Sequence, residues 1–260
     1  MKNSFSNSRG MRAGTGKAAI LAVLAAGLAL TPLSHAAQDE WTFGIGTGLS
    51  SLALDGDVGF ATESGGVIED MDLDNGDTAD MFESAFGFTS FANKGPWTIR
   101  LGYATLTLED DNRNFDAEWD RASGELSVEY TLVRGERHSF GVLGGLRYID
   151  HEWEFQDKVT REKLEPDDDY IDGLFGLTHR MPFANNWAWN NRVDYSTGDS
   201  EGIVTASTSV SWQPLEHWVF NLSFTYADVE LGEAQDNTKP DFYYYDVDES
   251  VIGLGFAYTW

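Results

Sequence analysis

Trp218-Val-Phe220-Asn-Leu222-Ser-Phe224-Thr-Tyr226 is the stretch that decides the fold. Large apolar side chains alternate with smaller or polar ones without a break. An extended chain therefore puts Trp218, Phe220, Leu222, Phe224 and Tyr226 on one face and Val219, Asn221, Ser223 and Thr225 on the other. Soluble antiparallel sheets alternate too, but over strands nearer ~5–6 residues. A tilted strand of about nine residues crosses a bilayer, and side chains this large suit contact with acyl tails.

The same period recurs along the chain and predicts ten strands, at 41–53, 82–92, 97–108, 116–133, 138–152, 169–181, 187–197, 202–212, 218–230 and 246–260. Short connections such as Asn93-Lys-Gly-Pro96 and Arg134-Gly-Glu-Arg137 alternate with long ones, as periplasmic turns alternate with outer loops. An open sheet edge in hydrocarbon leaves backbone groups unpaired, so a spanning sheet must close. The expected fold is all-β, a closed antiparallel up-and-down transmembrane β-barrel of ten strands. Eight strands result if the segments around 169–197 form one bent hairpin outside the wall.

Aromatic spacing agrees with that topology. Trp41, Trp97, Trp187 and Trp218 open strands beside the N-terminus or a short turn, and Trp212 and Trp260 close strands at the same end. Tyr148, Tyr195 and Tyr226 recur eight residues beyond Phe140, Trp187 and Trp218. At ~3.3 Å per residue and a tilt near ~40°, that spacing covers about 20 Å, close to the ~25 Å apolar band flanked by interfacial aromatic girdles.

Residues 1–36 read as a secretory signal peptide: Lys2, Arg9, Arg12 and Lys17 precede an apolar run from Ala18 to Leu30, and Ser34-His-Ala36 offers the small residues a signal peptidase needs. The mature barrel is then 37–260. Losing four of the 17 Lys and Arg leaves thirteen against 43 Asp and Glu, a formal charge of −30. Such a chain repels phosphate backbones, which excludes nucleic acid as a partner. With no cysteine, neither disulfides nor thiolate chemistry is available.

The last strand carries a family signature in Gly255, Tyr258 and Trp260. A glycine, two variable positions, an aromatic, one variable position and a terminal aromatic resemble the assembly signal of bacterial outer-membrane barrels, with Leu254 standing where a polar residue is usual. The resemblance implies insertion by the barrel-assembly machinery and a place among outer-membrane lipids of a Gram-negative bacterium. In size and strand number the chain is similar to the small-barrel group that includes the OmpA transmembrane domain and OmpW-type proteins.

Candidate functional residues follow from strand parity. Opposite the aromatic face lie Glu83, Arg100, Glu125, Glu129, Arg147, Asp172, Arg192, Asp194 and Glu249, a polar network that either lines a pore or holds a buried catalytic group, or else plugs with salt bridges a lumen too narrow for a wide channel. Gly44, Gly46 and Gly48 share that parity and leave room for long arginines. A hydrolase needs a base beside a nucleophile or an activated water, and the omptin proteases use Asp-Asp and Asp-His pairs at the outer rim. Here His151 with Asp172 is the pair two strands can bring together, since Asp150 and His151 point to opposite faces. In the first outer loop, Asp70, Asp72, Asp74 and Asp77 supply oxygens at spacings that suit calcium, though not in an EF-hand. No other cofactor is indicated. The expected function is a non-enzymatic barrel, structural or passing small solutes in a porin-like way, with acidic outer loops; the alternative is a hydrolase with a rim Asp/His site. The solute or ligand is not specified.

Overall fold

The alternation carries through ten antiparallel wall strands in a computed structural model, which describes residues 40–62, 65–111, 115–135, 137–159, 161, 163–233, 237–238 and 242–260. The signal peptide lies outside the described residues. The wall strands are β1 (Thr42–Thr62), β3 (Phe82–Lys94), β4 (Trp97–Asp111), β5 (Phe115–Arg134), β6 (Ser139–Asp157), β8 (Asp167–Ala184), β9 (Trp187–Gly198), β10 (Gly202–Leu215), β11 (Trp218–Leu231) and β12 (Tyr243–Thr259). Each pairs with its neighbour, and β12 pairs back onto β1 from Gly44↔Thr259 to Phe60↔Tyr243, which closes the barrel. The segments around 169–197 are the full wall strands β8 and β9, so the eight-strand alternative falls.

Two features depart from the expected loops. The segment after β1 folds back as β2 (Gly65–Leu73), paired to the upper half of β1, and continues into the short helix α1 (Asn75–Met81). A two-residue strand, β7 (Lys163–Leu164), pairs with β6. The helix has a structural task. The β1–β3 ladder runs only from Thr42↔Asn93 to Gly46↔Thr89. Above it, the buried Thr78 hydroxyl of α1 donates to the Leu52 carbonyl (2.5 Å) and Thr47 donates to the Gly87 carbonyl (2.6 Å), so side chains bridge β1 to α1 and β3 where that ladder has ended.

Strands of nineteen to twenty-one residues, as in β1, β5 and β6, are far longer than a membrane requires. At ~3.3 Å per residue and ~40° tilt they reach roughly 50 Å, about twice the apolar band, so on this side the wall stands well beyond the outer leaflet. Side-chain polarity changes at that level. Within the band Phe220, Leu222 and Phe224 face outward and exposed while Asn221, Ser223 and Thr225 are buried inside. Past Tyr226 the same strand turns Asp228 and Glu230 outward and buries Val229 and Leu231. The alternation keeps its phase and inverts its polarity, because lipid outside gives way to water.

Candidate functional site

The barrel interior has two layers. In the membrane half, β5, β6 and β9 aim alternate residues at one another. Arg192 binds Glu125 with both terminal nitrogens (2.8 and 2.7 Å) and Asp194 through Nε (2.6 Å), while Arg147 binds Asp194 (2.7 Å) and stands 3.7 Å from Glu125. Two guanidinium groups thus neutralise two carboxylates in a buried quartet. Below it, Arg100 pairs with Glu129 at 2.7 Å. Asp172 accepts from the Ser196 and Ser200 hydroxyls and the Ser200 backbone N–H, and is buried with no cation paired to it among the described residues. Glu249 binds Arg121 (2.5 Å) and accepts from the Tyr245 hydroxyl (2.9 Å).

Glu83 is a correction. The β3–β4 register shifts between Phe82 and Ser84, and the irregularity turns Glu83 out to solvent. Arg121 belongs in the set instead, and parity identifies it, since it lies four residues from Glu125 on one strand. Gly44 makes room for an aromatic ring and not for arginine: a Cβ there would run into the Phe91 ring.

The outer layer is apolar. Leu52, Leu54, Leu106, Leu108, Ile149, Ile203 and Val229 form one buried cluster with Trp119, Tyr243 and Tyr245. Trp119 and Trp153 stack at 4.9 Å, and Phe155 continues the stack at 5.5 Å. Between the layers lies a cavity of about 50 Å³ lined by Arg121, Glu125, Arg147 and Glu249 on one side and Ile149, Ile203, Val229 and Val251 on the other. That volume suits a water or two.

His151 sits inside this cluster. It is fully buried, and its Nδ1 lies 2.7 Å from the Tyr243 hydroxyl, which also receives the Trp153 indole N–H at 3.3 Å. The Tyr243 hydroxyl thus joins the Trp153 indole to His151 Nδ1, while His151 Nε2 is buried with no hydrogen-bond partner among the described residues. Burial and the neighbouring Arg121 hold this imidazole, beyond the outer girdle, well below the usual histidine range. Asp172 is not its partner: in the ladder His151 faces Asp168, and Asp172 faces Arg147. Asp168 is engaged by the Tyr170 hydroxyl at 2.7 Å.

Outside, the protruding half carries carboxylates in rows. Asp72, Asp55, Asp248 and Asp228 stand opposite one another across β2, β1, β12 and β11, and Asp70, Asp57, Asp246 and Glu230 form a second row. Carboxylate oxygens of Asp228, Glu230 and Asp246 all lie within 4.8 Å of one another, the spacing a divalent cation would need. Burial and the charges of Asp248 and Asp246 raise the pKa of Asp228, and burial with Asp246 and Asp228 raises that of Glu230. The calcium candidates are dispersed. Asp70 and Asp72 lie in these rows, whereas Asp74 caps α1, accepting from Gly76 N (2.6 Å) and Asp77 N (3.0 Å), and Asp77 returns a bond to Asp74 N.

At the other end, Trp41, Trp97, Trp187, Trp212, Trp218 and Trp260 ring the turn-bearing rim with exposed indoles. Tyr226 is exposed at the outer level, and Tyr148 and Tyr195 are half-buried there. Gly255 and Tyr258 lie on β12 beside Trp260, whose backbone exchanges two 3.0 Å hydrogen bonds with Phe43.

No protein-family model matches the chain, and no curated protein resembles it in sequence. Among solved structures it is similar to the outer membrane protease OmpT from Escherichia coli, with TM-score 0.54 and 8% identity over 85% of this chain and 97% of that one. The chain has the outer-membrane β-barrel fold. Weaker likenesses are to Ail of Yersinia pestis in complex with the heparin analogue sucrose octasulfate (TM-score 0.39, 10% identity, 85% of this chain and 99% of that one) and to the Pseudomonas putida toluene transporter TodX (TM-score 0.32, 10% identity, 86% and 90%). With lipid-sized side chains on its outer band and short turns at one rim, this outer-membrane barrel stands in the outer membrane of a Gram-negative bacterium.

Proposed function

We propose that this barrel is non-enzymatic and closed to solutes, a structural element of the outer membrane that presents an acidic outer surface to ions or to basic surface components. The observation that carries the reading is the filled interior: a neutral ion-pair quartet beneath a wall-to-wall apolar cluster. Water and ions crossing it would have to strip buried charges of their partners and then traverse a layer of leucine, isoleucine and tryptophan. The test is single-channel recording of the mature chain in planar bilayers. The expected trace is flat; stable open levels would replace this reading with solute passage.

The hydrolase reading has less support. A general base must reach the proton it takes, and His151 is sealed from solvent with one nitrogen committed to Tyr243. Replacing His151 with Ala is expected to leave peptide and lipid hydrolysis at the blank level of the parent barrel. Turnover by the parent that the variant loses would restore the enzyme.

A further inference from the structure

The lipid-facing wall should be apolar, yet near the periplasmic rim it carries a hydrogen-bonded chain across three strands to the β5–β6 turn. Trp189 Nε1 donates to Thr208 Oγ1 (2.6 Å), Thr208 Oγ1 donates to Asn191 Oδ1 (2.9 Å), Asn191 Nδ2 lies 3.2 Å from His179 Nδ1, and His179 Nε2 lies 3.0 Å from His138 Nδ1. These residues share the outward parity of Trp187, Leu177 and Val193. The first step runs from the indole, because an indole N–H donates and never accepts. With Thr208 donating to Asn191 Oδ1, the Asn191 amide nitrogen is left to donate to His179 Nδ1, and His179 Nε2–H to His138 Nδ1. In that order each bond pairs one donor with one acceptor, and the chain ends on an N–H at His138 Nε2.

His138 is exposed in the turn between β5 and β6, beside exposed Arg134 and Arg137. Arg134 Nη2 donates to the Gly95 carbonyl (2.8 Å), which ties this turn to the β3–β4 turn and its exposed Lys94. Among the described residues none of Lys94, Arg134 and Arg137 has an acidic partner, and the two turns contain a single acidic residue, Glu136. By contrast, Lys158 and Lys163 at the outer end each hold two carboxylates. His138, His179 and Phe140 stack, with Phe140 4.7 Å from His179, at the level of the tryptophan girdle, where headgroups meet acyl chains.

We infer that this sector of the rim, Lys94, Arg134, Arg137 and His138, is a binding site for an anionic phospholipid of the inner leaflet. The guanidinium groups and the His138 Nε2–H would take the phosphate, and Leu132, Phe140 and Val142, all exposed on the same wall, would take the acyl chains.

The test is native mass spectrometry of the mature barrel refolded in detergent and offered phosphatidylglycerol or phosphatidylcholine. The expected result is a phosphatidylglycerol adduct favoured by about tenfold. Arg134→Gln with Arg137→Gln should lose about that factor, and His138→Phe, which keeps the ring stack and removes the donor, should lose severalfold. Lys158→Gln should change nothing. Heat-modifiable gel mobility establishes closure of each variant, and the lipid preference of the parent barrel reads the inference without any variant. Equal binding of the two lipids, or a preference that survives both rim variants, overturns it. So does full displacement by millimolar glycerol phosphate, which would mark a site for soluble phosphate.

Discussion

Replacing Arg192 with Leu tests whether the interior is a sealed ion-pair layer or a wet channel. Arg192 makes three of the charge-assisted contacts in the quartet, two to Glu125 and one to Asp194, at 2.6–2.8 Å, and its side chain is 7% exposed. Without it, Glu125 and Asp194 share Arg147 alone, which is 3.7 Å from Glu125. One carboxylate is left buried and uncompensated, at a cost of about 3–5 kcal/mol. Were the layer open to bulk water, the same change would cost roughly 0–1 kcal/mol. Adding Glu125→Leu to the variant restores neutrality, leaving Arg147 bound to Asp194, and is expected to recover about 2 kcal/mol. The assay is urea unfolding of the parent, both single variants and the double variant in phosphatidylcholine vesicles, followed by tryptophan fluorescence. A single-variant cost below about 1 kcal/mol, or a double variant whose loss is the sum of the two singles, refutes the reasoning.

Three further outcomes are expected. Asp74→Ala should loosen α1 by about 1 kcal/mol, seen as faster amide exchange over residues 75–81, and should do so equally with calcium or chelator because that carboxylate serves as the helix cap. Asp228→Asn and Glu230→Gln should each raise the thermal midpoint at neutral pH and low salt; their raised folded-state pKa values mean that ionisation opposes folding, so the penalty is full above the folded pKa, fades as pH falls through it, and the gain should vanish below the unfolded pKa near ~4. Deleting Trp260 should lower outer-membrane levels severalfold while leaving detergent refolding largely intact, since two backbone bonds to Phe43 and the exposed ring contacts with Phe43 and Tyr258 are a small part of a long β1–β12 seam; immunoblots of envelope fractions against refolding yields separate the two effects.

Much of this architecture was legible because a strand has a period of two. Trp218 to Tyr226 sets the lipid face, and counting by two from it places Arg100, Glu125, Arg147, Arg192 and Asp194 inside. The same count fails at Glu83, where an irregularity inserts a residue that periodicity does not reveal. It is silent on which charges meet, since Asp172 reaches serines and not His151. Helix α1 was hidden for another reason: Asp74 and Asp77 look like metal ligands along the sequence, whereas in the fold they form a capping box and Thr78 bonds the Leu52 carbonyl.

The polarity inversion past Tyr226 was written in Asp228-Val-Glu-Leu231 and explains why this barrel outgrows its membrane. Two rows of carboxylates, aligned across four strands, face one another at the ~4.5–5.5 Å spacing of directly opposed residues, where like charges destabilise a sheet. Water and salt soften that repulsion without removing it. The opposite face of the same strands buries Leu52, Leu54, Val229, Leu231, Tyr245 and Val247 almost completely, and a fully buried leucine or valine contributes about 1.5–3 kcal/mol. Burial of half a dozen such residues outweighs the roughly 0.2–1 kcal/mol that each opposed pair of exposed acids costs. The acidic collar and the plug are therefore two faces of one device: opening the interior to water would remove the burial that lets so negative a surface remain a sheet.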